Sequence, residues 1–280
     1  MPEARRLTAA DLPACLALSA EAGWNQTAAD WRAVMAAGEV RGLVRDGRIV
    51  ATAAVLPWPG PFGWICMVLV TAAERRQGHA TALLDWAVAR LGALGRVPGL
   101  DATPAGRAVY RRMGFLDVYP VTRLRAAAPV ASGSPATATL RPMLPADMPA
   151  VAALDAPAFG ADRAAFLAGL QARAPGLAFL ATRAGCPAGF MLARDGRTAT
   201  QIGPLVAQDP ATAAALVTAA CAACPGPALI DVPDRHAALQ AGLAAAGFTA
   251  ERPFTRMLLG RAAPVDRPAR IFALAGPEFG

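Results

Sequence analysis

Lysine is missing from this 280-residue sequence, so all 27 of its basic residues are arginine. That absence alone removes the nucleotide-binding loop that ends in Gly-Lys-Ser or Gly-Lys-Thr. Histidine is nearly as scarce, with two in the whole chain. The Cys221-x-x-Cys224 pair therefore has only His236 as a histidine within its half and no second cysteine pair, too little for a closed zinc site. The pair also ends an alanine-rich helical run, whereas a redox dithiol sits at a helix start. Five scattered cysteines build no disulfide scaffold and suit a reducing cytoplasm. Long apolar helical runs are lacking too. Ile49 to Ala73 carries no charge, but Pro57, Pro59, Gly60, Pro61 and Gly63 interrupt it, and a bilayer helix needs about 20 unbroken residues. Met1 to Arg6 has no apolar stretch behind it, so neither signal peptide nor membrane is expected.

What is abundant is small and apolar. Hydrophobic residues make up 55% and charged ones 17%, which excludes disorder along the whole chain. The net charge is +7. Spread among alanine, glycine and proline, it reflects composition and does not call for a nucleic-acid partner.

The chain repeats itself. Ala10-Asp11-Leu12-Pro13-Ala14 returns as Ala146-Asp147-Met148-Pro149-Ala150. Later, Gly114-Phe115 returns as Gly247-Phe248, and Thr122-Arg123-Leu124 as Thr255-Arg256-Met257. The offset falls from 136 to 133, so the second copy has lost three residues. Between them, 126–139 is Ala, Pro, Ser, Gly and Thr apart from Val130, the composition of a linker. Two domains, 1–125 and 140–280, are expected. Inside the first, helices over 12–22 and 27–37 precede a hairpin turned at Asp46-Gly47. A buried strand, 65–70, leads to a helix over 78–91 whose stripe is Leu83, Leu84, Ala87, Val88 and Leu91. A strand near 100–102, a helix over 104–113 and strands after Phe115 complete the unit. Mixed α/β architecture around a central sheet is expected, the second copy repeating it and ending in the apolar Ile271 to Leu274.

One junction invites chemistry. Val68-Leu69-Val70 runs through Thr71 to Glu74 into Arg75-Arg76-Gln77-Gly78-His79-Ala80-Thr81. A helix start offers unpaired amides and about half a positive charge, suited to a diphosphate. An ordinary strand-to-helix turn with a glycine would read the same at this point. The R-x-x-G-x-A string, followed by Ala108-Val109-Tyr110-Arg111-Arg112-Met113-Gly114-Phe115, resembles the GNAT superfamily of N-acetyltransferases. Gly23 to Thr27, Asp101 to Arg107 and the divergent second copy are similar to its bacterial two-domain subgroup.

That resemblance implies two tandem domains, each a mixed sheet flanked by helices, with strands splayed around acetyl-CoA in the first. The backbone of Val68, Leu69 and Val70 would meet the pantetheine, and amides from Arg76 to Thr81 the pyrophosphate, with Arg75 and Arg76 adding charge nearby. Tyr110 would protonate the departing thiolate, and Asp101, expected at a strand end facing the cleft, would be the base. Glu74 is expected as a solvated surface residue, and the His79 side chain as pointing to solvent. Trp24 and Asn25 would line the acceptor. The implied activity is acetyl transfer to the amine of a small or amino-acid-like molecule, without metal, in a cytoplasmic monomer or homodimer. A non-catalytic acyl-CoA sensor and a protein N-terminal or lysine acetyltransferase are the alternatives. In the second copy Gln208-Asp209-Pro210-Ala211-Thr212 replaces the turn and Leu243 replaces the tyrosine, so that copy is expected to be inactive.

Overall fold

Exposed along its length and charged at every position but Ala4, β1 (Glu3–Arg6) is the edge strand of the first unit, which runs to Leu100. The computed structural model describes residues 2–131 and 138–280, so the middle of the expected linker, 132–137, lies outside the described residues. Helices α1 (Leu12–Glu21) and α2 (Ala28–Ala37) come next. The hairpin is β2 (Glu39–Arg45) and β3 (Arg48–Leu56), turned at Asp46 and Gly47 with φ of 50° and 74°. Both positive values are what a two-residue turn matching strand twist requires. Then come β4 (Phe62–Val70), α3 (His79–Ala93) and β5 (Val97–Ala102). The order is β1-β2-β3-β4-β5, antiparallel except for the β4–β5 pair. Leu83, Leu84, Ala87 and Leu91 of α3 are buried over β3 and β4. At Gly63 a Cβ would stand 2.4 Å from Leu91 Cδ2, so that residue lets the helix lie down.

Two features set β4 apart from its neighbours. It pairs with β5 only from Phe62 to Trp64, and beyond that its 65–70 stretch is paired on the β3 side alone. Met67 and Val68 together oppose Ala53, a bulge with Met67 at φ 53°. The Thr52 hydroxyl donates to the Met67 carbonyl at 2.9 Å and holds it in place. A bulge bends its strand and re-aims the residues after it.

Residues 101–278 form the second unit. It contains α4 (Pro104–Arg112), β6 (Phe115–Ala126), β7 (Thr139–Pro142), α5 (Met148–Phe159) and α6 (Ala164–Arg173). β8 (Phe179–Arg183), β9 (Cys186–Arg194), β10 (Thr200–Ala207), α7 (Pro210–Ala223) and β11 (Ala228–Pro233) come after them, then α8 (Ala237–Ala245), β12 (Thr249–Leu259) and β13 (Ile271–Ala273). The strand order is β12-β6-β11-β10-β9-β8-β7, with β13 alongside β10. The sequence repeat and the compact grouping partition the chain differently. β6 ends the first repeat, yet it runs antiparallel to both β11 and β12 of the second. Ala126 and Thr139, the ends of the expected linker, both lie in strands.

The repeated pentapeptide has a physical reason in each unit. Asp11 accepts from the Thr8 amide at 2.8 Å and from both terminal nitrogens of Arg5 at 2.6 and 3.0 Å. Asp147 accepts from the Leu144 amide at 2.8 Å and from Arg141 at 2.6 and 2.7 Å. Each carboxylate satisfies an orphan amide at the start of a helical segment. The arginines hold both carboxyls down at about 2. A depressed carboxylate stabilises the fold above its unfolded value of about 4, and that contribution is lost as pH falls through the folded value. Asp147→Asn is therefore expected to lower the melting temperature at pH 7, with the gap to the parent closing as pH drops from about 4 toward about 2. Melts showing a gap independent of pH would contradict this.

Candidate active site

The turn after β4 is built to leave amides free. Arg76 and Gly78 both take positive φ, 65° and 82°, before α3 begins. A Cβ on Gly78 would meet nothing within 4 Å, so glycine is required there by conformation and not by space. The amides of residues 76 to 81 donate to no acceptor among the described residues; the Ala82 amide, bonded to the Gly78 carbonyl at 3.0 Å, is the first with a partner. Six consecutive N–H groups at the positive end of a helix form an anion cradle. The Thr71 amide donates to Val50 at 2.9 Å, so alternation turns the backbone of Val70 and Val68 to the edge away from β3. Arg75 Nε donates to the Val70 carbonyl at 3.2 Å, which ties the turn to the strand.

Two expectations about this turn are corrected. His79 does not point to solvent: it is buried, with Nε2 3.2 Å from Glu74 Oε2. Glu74 is half-buried and also takes Arg45 Nη1 at 2.5 Å. Its hydrogen bond to His79, then that to Arg45, lowers its pKa. The three side chains brace the turn from beneath while the backbone of His79 stays open. A cleft of about 840 Å³ near this brace, between α1 and the β2–β3 turn, is lined by neither the 76–81 amides nor Trp24.

Tyr110 stands on α4, whose start is fixed by Pro104 and by the Thr103 hydroxyl, which accepts from the Gly106 amide at 3.3 Å. A Cβ on Gly106 would come within 2.8 Å of Tyr110 Cε2, so this glycine makes the bed for the ring. Phe115 packs on it at 6.0 Å between centroids. Arg107 and Arg111 both clamp Asp117 of β6, holding its carboxyl at about 2. Burial pushes the Tyr110 phenol up to about 12, and its hydroxyl makes no hydrogen bond among the described residues.

Asp101 is not the open base expected at the strand end. Its side chain is fully buried, and its two oxygens accept from Nε and a terminal nitrogen of Arg256 at 2.9 Å each. Burial pushes its pKa up against the pull of that guanidinium. Asn25 is buried and Trp24 half-buried in the α1–α2 connection. Next to them lies a residue that the sequence pattern does not single out. Gln26 is buried and its Oε1 has no hydrogen-bond partner among the described residues.

The second repeat has closed the equivalent features. Asp209 caps α7 with its own carboxylate, accepting from the Thr212 amide at 2.9 Å, and Pro210 has no amide to offer. β10 pairs with β11 only from Thr200 to Ile202, as β4 does with β5 over its own first residues, but here β13 fills the gap. The Ala207 amide donates to Arg270 at 3.1 Å and the Leu274 amide to Asp231 at 2.9 Å. Leu243 is fully buried in the core of this unit. Cys221 lies in the same core, its thiol pushed up to about 11 by burial.

A family model described as Acetyltransferase (GNAT) family matches residues 12–115, and one described as Acetyltransferase (GNAT) domain matches 151–273. The chain is a tandem-domain member of the GNAT superfamily. It is thereby an acyltransferase, from a family whose acyl donor is acetyl-CoA. No curated protein matches it. Among solved structures, a candidate acetyltransferase from Pyrococcus horikoshii superposes with a TM-score of 0.78 at 20% identity, covering 99% of this chain and 95% of that one. A GCN5-related N-acetyltransferase from Sphaerobacter thermophilus gives 0.67 at 17%, covering 94% and 98%. A tandem GNAT protein from the clavulanic acid biosynthesis pathway gives 0.64 at 18%, covering 94% and 99%. All three share the fold of this GNAT chain. No helix among its described residues is long and apolar enough to cross a membrane.

Proposed function

We propose that the first repeat, 1–125, transfers acetyl from acetyl-CoA to the amine of a small or amino-acid-like acceptor, and that the second, 140–280, performs no transfer. The observation that carries this reading is the run of six unengaged amides from 76 to 81, a cradle for diphosphate that the second repeat lacks. The backbone of Val68 and Val70 takes the pantetheine along the edge that β5 leaves unpaired, with Leu69 between them paired to Thr52 of β3. Arg75 and Arg76 are exposed beside the cradle and add positive charge; Gln77, Gly78, His79, Ala80 and Thr81 contribute backbone. Trp24 and Asn25 bound the acceptor.

The acceptor nitrogen attacks the thioester carbonyl carbon, the C–S bond breaks, and Tyr110 gives its proton to the departing sulfur. A neutral phenol is the right donor, because it carries no charge at neutral pH. The amine arrives neutral and releases its proton to water, since Asp101 is held by Arg256. The same occupancy of Asp101 favours, as a second reading, an acyl-CoA sensor that binds without turnover.

Titration calorimetry with acetyl-CoA is expected to show one site per chain, and thiol release to appear with a member of a panel of amines, amino acids and peptides. Two equal sites would overturn the assignment to the first repeat. Binding without thiol release from any member would select the sensor, and release with peptides alone a protein acetyltransferase.

A further inference from the structure

The two repeats are buckled together by a reciprocal pair of buried clasps. Arg123 on β6 donates from Nε and a terminal nitrogen to the two oxygens of Asp231 on β11, at 2.8 Å each. Arg256 on β12 does the same to Asp101 on β5, at 2.9 Å each. The arginines are repeat equivalents, in Thr122-Arg123-Leu124 and Thr255-Arg256-Met257. The aspartates stand in Leu100-Asp101-Ala102 of β5 and Ile230-Asp231-Val232 of β11, at an offset of 130. Each arginine thus holds the other repeat's aspartate, and no side chain of the four is more than 7% exposed.

The clasps differ in what hangs from them. Asp231 leads toward α8, where Leu243 fills the core. Asp101 stands two residues before Thr103, which caps α4, and α4 carries Tyr110. Arg256 is itself immobilised: Nη1 donates to Asp266 at 2.6 Å, the guanidinium lies 5.3 Å from the Tyr119 ring centroid, and the Tyr119 hydroxyl donates to Asp266 at 2.5 Å. A planar fork bound at two points sets angle as well as distance. Buried ion pairs add little stability over apolar packing of equal volume, so their distinctive contribution here is geometry.

We propose that Arg256, a residue of the second repeat, is a positioning residue for transfer by the first: it fixes Asp101, hence the start of α4, hence the Tyr110 hydroxyl. This rests on Tyr110 being the general acid, but the test separates the two. Tyrosine occurs twice in the chain, so labelling the full protein with [13Cζ]tyrosine gives two resonances, assigned with Tyr119→Phe. The variant Asp101→Asn/Asp266→Asn/Arg256→Met removes one clasp together with the second carboxylate that Arg256 holds, so no charge is stranded, and Asp231→Asn/Arg123→Met removes its twin as a control.

The first variant is expected to move the Tyr110 resonance and bring its titration midpoint down from about 12 toward the free value of about 10. With the amine identified by the panel, kcat is expected to fall about 10- to 100-fold while KM for acetyl-CoA stays within about twofold. The control is expected to lower the melting temperature comparably and leave Tyr110 in place. An unmoved Tyr110 resonance in the first variant, or an equal movement in the control, overturns the proposal. Should the first variant not fold, Asp101→Glu keeps both charges, lengthens the clamp by one methylene and is read the same way. If Tyr110→Phe leaves thiol release unchanged, the general-acid reading fails, and the resonances still decide the clasp.

Discussion

Tyr110→Phe is expected to lower kcat by about 10²- to 10⁴-fold, the range for losing a positioned proton donor. Acetyl-CoA affinity should change by no more than about twofold, because the ring remains and Gly106 and Phe115 hold it by shape. The hydroxyl makes no hydrogen bond among the described residues, so its removal strands no partner and the fold should melt as before. The pH profile adds a sign. A general acid works while protonated, so its limb descends as pH rises through its pKa. With the phenol at about 12, no descending limb from Tyr110 should appear at or below about pH 10. Steady-state kinetics beside calorimetry checks both parts, and an unchanged kcat at saturation would return Tyr110 to a packing role.

Gly78→Glu should weaken acetyl-CoA binding at least about 100-fold, a carboxylate in the cradle opposing the diphosphate through its charge. The side chain has room, since nothing lies within 4 Å of the Cβ, so the change need not disturb packing. It does cost about 1–2 kcal/mol of backbone strain at φ 82°. Gly78→Ala carries that strain without the charge and isolates it. The alanine variant is expected to melt lower yet retain affinity within about tenfold, and only the glutamate to lose it. Equal losses in both would mean that the turn binds through its shape and not through its field.

Much of the frame is legible in the order of amino acids alone. The stripe on α3 has helical period, and Leu83, Leu84, Ala87 and Leu91 are buried where the period puts them. The repeat offsets mark two copies, and Gly78 announces a helix start. The departures from expectation share a cause. Asp101 reads as free because the arginine that occupies it is 155 residues away, and linear spacing carries no trace of such a partner. His79 reads as exposed because its bracing needs Arg45, on another strand. β1 leaves no mark in the pattern because its side chains are all exposed and no alternation betrays it. Ile271 to Leu274 reads as apolar weight to be buried, without a hint of the strand it completes.

That strand separates the thermodynamics of the two copies. A fold that needs a ligand to complete a strand edge gains stability only in proportion to how much ligand surrounds it. Along β4 the unpaired edge leaves this dependence in place if that edge takes the acyl donor as proposed. Along β10 the pairing of Ile271 and Ala273 satisfies it within the chain, at an effective concentration no diffusing molecule matches. Under the proposed function the second copy stays in the paired state that the first reaches only with its acyl donor, while the rigidity of the first rises and falls with that supply.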